Sequence, residues 1–105
     1  MVDMIHELVL ATVDPAKRDD YIEVWKAAWK EAAFEGSHGG KILRCVEDPA
    51  RVAMLLNWDS VEAHRQHSGT DRHNSFRQKF AAFQTQPSLV QHYTIEELPG
   101  EDLPA

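Results

Sequence analysis

Two imidazoles three residues apart follow a strand-end amide and tryptophan in Asn57-Trp58-Asp59-Ser60-Val61-Glu62-Ala63-His64-Arg65-Gln66-His67. A spacing of three places His64 and His67 on one helical face. Imidazole titrates near neutrality, so either ring can serve as a general base. A carboxamide such as Asn57 can stabilise the oxyanion that develops as the proton leaves. The plainer reading makes His64 and His67 surface or subunit-contact residues that solvate a short helix.

Six histidines in 105 residues is a high count. His73 follows on the next helix, while His6 and His92 belong to the first and last strands. His-x-x-His offers two imidazoles, whereas zinc sites use three or four ligands. No carboxylate or cysteine stands at a matching offset apart from the distant Cys45 and Asp71. Unliganded histidines are therefore expected, and no metal ligand is assigned. Glu7 is a different kind of candidate, an acid within an apolar strand. Pointing inward, it would have a raised pKa and rival the histidines as base. Alternation puts Glu7 with Ile5 and Val9, and His6 with Leu8 and Leu10. Both faces are apolar, so the sequence leaves open which one meets the helices.

The aromatic residues supply a possible wall. Trp25 and Trp29 are one helical turn apart and either pack a core or flank a flat ligand. Trp58, at a strand end, is a second wall or a plug. Phe34, Phe76, Phe80 and Tyr93 extend the set. Aromatic side chains with a few polar groups are the usual lining of a small-molecule pocket. The expected ligand is a small hydrophobic aromatic molecule.

The positioning elements follow from periodicity and turn residues. Ile5 to Val13 reads as a strand stopped by Asp14-Pro15, with Asp14 as N-cap and Pro15 in the first turn of a helix. That helix runs to about Glu35, with Ile22, Trp25, Ala28, Trp29 and Ala32 as its apolar stripe. Gly36 ends it, and Gly39-Gly40 reads as a flexible turn. Lys41 to Glu47 and Val52 to Trp58 form a hairpin around Asp48-Pro49-Ala50-Arg51. Asp59 and Glu62 have the spacing of a capping box for a short helix over Val61 to Gln66. Ser68-Gly69-Thr70 interrupts it, and a further helix spans Asp71 to about Gln84. Ser88 to Glu97 is the last strand. Residues 1–98 make one domain and residues 99–105 a loose tail. The order β-α-β-β-α-β predicts an α+β, ferredoxin-like fold with a four-stranded antiparallel sheet. Helices cover one face of such a sheet, and a second copy is the simplest cover for the other, so a homodimer is expected.

Composition narrows the classes of partner. A net charge of -6 repels nucleic acid and anionic membranes. No apolar run is long enough to span a bilayer. Cys45 is the single cysteine, so no intrachain disulfide can form, and its ordinary role is that of a small buried hydrophobe. The N-terminus shows no secretory pattern, and a reducing cytoplasm is the expected location. No P-loop, Gly-x-Gly-x-x-Gly or Gly-x-Ser-x-Gly motif occurs, which leaves nucleotide, flavin and serine-hydrolase readings without support.

The element order, the length and Trp58-Asp59-Ser60-x-Glu62-Ala63-His64-x-x-His67 together resemble the antibiotic biosynthesis monooxygenase domain. The resemblance runs from Ile5 to Glu96 and includes Glu47-Asp48-Pro49-Ala50-Arg51 and the Phe76 to Phe83 helix. It implies a small dimeric α/β barrel. It also implies a range of activities: oxygenation of polycyclic quinols or anthrones without metal or flavin, haem cleavage, isomerisation, or none assigned. Haem-cleaving members carry an asparagine, a tryptophan and an iron-binding histidine at positions that fall on Glu7, His67 and Arg77 here. Guanidinium has no lone pair for iron, so haem is disfavoured, with His73 the one substitute a turn away. Anthrone oxygenases use an asparagine and a tryptophan in the region of Asn57 and Trp58. The reading is a cofactor-independent monooxygenase with His67 or His64 as base, Asn57 as polar anchor, and Trp25, Trp29, Trp58, Phe76, Phe80 and Tyr93 as walls. The alternatives are a non-catalytic dimer that binds a hydrophobic ligand, and a haem- or metal-binding relative.

Overall fold

The computed structural model describes residues 4–100. Four strands form one antiparallel sheet: β1 (Ile5–Thr12), β2 (Ser37–Arg44), β3 (Arg51–Trp58) and β4 (Leu89–Tyr93), in the order β2-β3-β1-β4. Helix α1 (Arg18–Ala32) connects β1 to β2. Helices α2 (Val61–Arg65) and α3 (Asp71–Gln78) connect β3 to β4. This is the expected α+β ferredoxin-like arrangement. Short 3-10 turns at Pro15–Lys17 and Ala81–Phe83 precede α1 and follow α3.

Burial settles which face of the sheet the helices cover. Along β1, Glu7, Val9 and Ala11 are buried, and along β3, Val52, Met54, Leu56 and Trp58. These residues alternate, as one face of a pleated strand must. They meet Tyr21, Ile22, Trp25 and Ala28 of α1 and Phe76 of α3. Glu7 is therefore on the helix side. His6, Leu8, Leu10, Ala53, Leu55 and Asn57 point the other way, partly exposed.

The core is largely aromatic. Trp25 stacks on Trp29 with centroids 5.6 Å apart, and Phe76 meets Trp25 edge-on at 5.4 Å. Phe76 and Phe80 are edge-on at 4.9 Å. Such pairs contribute about 0.5–1.5 kcal/mol each beyond their buried area. The helical spacing that brings Trp25 and Trp29 together also fixes them against the sheet.

Several element ends differ from the sequence expectation. Asp14 does cap the first turn, accepting from Ala16 N. Helix α1 stops earlier than Glu35, at Ala32, with Ala33 in the left-handed region. Gly39-Gly40 is not a turn but part of β2, where the register with β3 shifts. The reason is a close approach: a Cβ on Gly40 would lie 2.1 Å from Leu55 O. The N-cap of α2 is Ser60, which accepts from Ala63 N, while Asp59 is engaged by His38 Nε2 at 2.5 Å. The last helix breaks at Gln78 instead of Gln84, and β4 is confined to Leu89–Tyr93. Most of the tail assigned to 99–105 lies outside the described residues. Among the described residues, no helix is long and apolar enough to cross a membrane.

Candidate active site

A cavity of about 320 Å³ lies between the covered face of the sheet and the helices. Its floor is Glu7, Val9, Leu56 and Trp58; its helical walls are Trp25, Trp29, Phe76 and Phe80. His64, His67 and His73 border it, with Arg77, Gln84 and Val90. The space suits a small aromatic molecule: aromatic and aliphatic side chains share its lining with convergent polar groups.

The polar groups form a connected set on the sheet side. Trp58 Nε1 donates to Glu7 Oε1 at 2.9 Å, with both side chains buried. The pairing Ile5↔Trp58 brings the indole beside Glu7 two residues along β1. His64 Nε2 lies 3.4 Å from the same Glu7 oxygen. His64 Nδ1 is 2.7 Å from His92 Nε2, and His92 stands directly across from Glu7 in the β1–β4 pairing. His64 reaches this position because the Ser60 cap starts α2 immediately after β3 and turns its first helical turn back over Trp58. The His64 ring lies against Trp58 with centroids 4.9 Å apart.

Burial sets the protonation states. Desolvation raises the Glu7 pKa above the usual carboxylate value, and the Trp58 hydrogen bond opposes that rise without cancelling it. His64 is lowered to about 4, first by burial and then by the positive charge of His92, His73, His67 and Arg65. It is therefore neutral at pH 7. Its contact with Glu7 is not an ion pair. His92 is lowered by burial and by Arg65. His73 is lowered by burial, Arg77 and His67, and its Nδ1 is buried with no partner among the described residues.

His67 is arranged differently. Its Nε2 lies 2.9 Å from the Glu35 carbonyl oxygen. A carbonyl only accepts, so Nε2 is the donor in this contact. The ring packs on Phe34 at 4.8 Å.

Of the residues singled out from sequence, His64, His67, Trp25, Trp29, Trp58, Phe76 and Phe80 line the cavity. Asn57 and Tyr93 do not. Asn57 Oδ1 is 2.7 Å from His6 Nδ1 on the opposite face, so it cannot anchor a ligand in this cavity. Tyr93 is also on that face, where its hydroxyl donates to Gln91 Oε1 at 2.7 Å. Strand parity excludes both: Trp58 and His92, their neighbours in sequence, take the inward positions. His92 gave no signal of its own in the sequence. Only its pairing with Glu7 brings it to the site. Among the described residues, no group of three or more His, Cys, Asp or Glu side chains is placed to hold a metal ion.

The fold matches known structures. A family profile, antibiotic biosynthesis monooxygenase, fits residues 4–79. The chain belongs to the antibiotic biosynthesis monooxygenase family. A candidate antibiotic biosynthesis monooxygenase from Bordetella bronchiseptica has a similar structure, with a TM-score of 0.80 and 23% identity over 90% of this chain and 99% of that one. A candidate family member from Nitrosomonas europaea has a TM-score of 0.75 at 19% identity, covering 95% of this chain and 97% of that one. One from Caulobacter crescentus CB15 has a TM-score of 0.72 at 21% identity, covering 90% and 92%. At such identities the structural likeness establishes the fold alone. No curated protein matches the chain. In this member of the antibiotic biosynthesis monooxygenase family, Glu7 and His64 line the cavity, and His92 stands behind His64 at 2.7 Å.

Proposed function

We propose that the protein is a cofactor-independent monooxygenase acting on a small aromatic substrate of the quinol or anthrone type. One observation carries the reading: an aromatic-walled cavity of about 320 Å³ has titratable groups in its lining, Glu7, His64 and His67. Trp25, Trp29 and Phe76 hold a flat ring system. A base in the lining takes its acidic proton, and the apolar walls keep water from the carbanion or phenolate while O2 adds. For an anthrone the balance is one CH2 and one O2 giving one C=O and one H2O. The base is restored within the cycle, so no other redox partner enters.

Incubating the purified protein with anthrone or a quinol while recording oxygen uptake tests this. Enzyme-dependent uptake with quinone formation is expected. Ligand-induced thermal stabilisation without any uptake would instead support the second reading, a binding module for a hydrophobic aromatic.

The functional unit in this proposal is a homodimer. The sheet face away from the helices presents Leu8, Leu10 and Leu55, with Leu43, Leu89 and Tyr93 more exposed beside them. Covering those side chains with a second copy removes apolar area from water, worth about 25 cal/mol per Å². Sedimentation at micromolar concentration should give the dimer mass, and a monomer would refute this part.

A further inference from the structure

We infer that Glu7, through its oxygen Oε2, is the catalytic base of this site, and that His92 acts as a positioning residue by fixing the tautomer of His64. The inference rests on the oxygenase reading for its substrate class, but its geometry is independent of it.

Glu7 is a buried carboxylate in the cavity floor, 6% exposed. One of its oxygens is already occupied. Oε1 accepts from Trp58 Nε1 and faces His64 Nε2. Oε2 has no hydrogen bond within the described residues. A carboxylate with one oxygen held and the other free is oriented for proton abstraction. The same low-dielectric setting that raises its pKa brings it nearer the neutral range in which a general base works best.

The histidines are poorer placed for that task. His64 Nδ1 is engaged with His92, its Nε2 faces Glu7 Oε1 at 3.4 Å, and a ring with a pKa of about 4 holds a transferred proton weakly. His67 has one nitrogen committed to Glu35 O. His64 and His92 serve Glu7 instead. An ionised Glu7 repels a lone pair facing it, so His64 turns Nε2–H toward Oε1. Neutral His64 then has its lone pair at Nδ1, and only a donor can sit 2.7 Å away. His92 Nε2–H is that donor. The order is thus His92 Nε2–H to His64 Nδ1, and His64 Nε2–H toward Glu7 Oε1. Trp58 from β3, His64 from α2 and His92 from β4 enclose the carboxylate. His67, His73, Arg65 and Arg77 are the further charged or titratable groups acting on the histidines beside it.

The step is a proton transfer. A C–H bond of the methylene, which lies across the central ring from the carbonyl, breaks, and its electron pair delocalises through the fused rings onto the carbonyl oxygen as the anthrolate. The proton bonds to Oε2. Oxygen is not needed for this step, so it can be watched alone.

Anthrone in D2O under argon supplies the assay, with deuterium entry at its methylene followed by NMR. The wild type should accelerate exchange over buffer. Glu7→Gln should lose that acceleration, by about 10²–10⁴-fold as for other general bases. Glu7→Ala should be inactive and recover with added formate, which a merely structural role would not produce. Nitrogen-15 NMR of the ligand-free protein should show His64 protonated at Nε2, and His92→Phe should convert it to a mixture while slowing exchange. Exchange that survives in Glu7→Gln, fails to return with formate, or is absent from the wild type overturns the assignment of Glu7. A wild-type His64 protonated at Nδ1 overturns the role of His92. Exchange without oxygen uptake would sink the oxygenase reading and leave Glu7 as base standing.

Discussion

Replacing Glu7 with glutamine should make the protein more stable at pH 8 while removing its proton chemistry. The raised pKa means that the fold favours the neutral form of Glu7 over the charged form, relative to water. Glutamine imitates that neutral form. Its carbonyl can still accept from Trp58 Nε1, which donates to Oε1 at 2.9 Å. Two terms oppose each other. Losing the charge weakens the indole bond, since bonds to charged groups exceed neutral ones by about 1 kcal/mol. Losing the buried charge removes its desolvation cost. The direction of the pKa shift says that desolvation is the larger. A gain of about 1 kcal/mol is the ordinary size for a substitution of this kind. For a domain near 100 residues that corresponds to a rise in Tm of about 4–8 °C. The pH dependence carries the sign. A group with a raised folded pKa lends stability below its unfolded value, 4.5, and loses it as pH rises through the folded value. The advantage of Glu7→Gln should therefore be full above the folded pKa and shrink toward zero below 4.5. Calorimetry of both proteins from pH 4 to 8 measures it. A variant less stable than wild type at pH 8, or a gap that does not close on acidification, would refute the reasoning.

The histidines act in the opposite sense: His64, lowered from 6.5 to about 4, lends stability above pH 6.5 that is lost as pH falls through 4. That loss is about 3 kcal/mol for His64, so His64→Gln should flatten the acid limb of a stability–pH curve, and an unchanged limb would count against its burial. Trp25→Ala should cost about 3–5 kcal/mol by denaturant titration, because Trp25 is 4% exposed. Trp29, half-buried, should cost less and weaken aromatic ligands more, read as reduced quenching of the remaining tryptophans. Gly40→Ala should destabilise by about 1–3 kcal/mol, since the added carbon meets the Leu55 backbone; a neutral result would mean that β2 is free to move away from β3.

The sequence carries most of this fold in its periodicity. The Ile22-Trp25-Ala28-Trp29 stripe and the Phe76-Phe80 pair directed those side chains to the sheet, and there they lie. Their helical spacing is a property of neighbours in the chain, so it can be read locally. Gly40 escaped that reading because its need for glycine comes from the backbone of β3, a contact between distant segments. The site was legible to the same degree. His64 and His67 follow a cap signal and reach the cavity wall, although Ser60 provides the cap in place of Asp59. Asn57 was misplaced by parity: a strand with apolar residues on both sides does not say which side the helices cover. Glu7 was undecided for the same reason, and its burial with Trp58 resolves both together.

Oxygen-18 labelling tests the proposed activity most directly. Anthrone turned over by the purified protein under 18O2 should yield a quinone whose new carbonyl oxygen is labelled, with the second labelled atom in water. A new carbonyl bearing oxygen from unlabelled solvent, after correction for exchange, would contradict a monooxygenase, whatever the cavity binds.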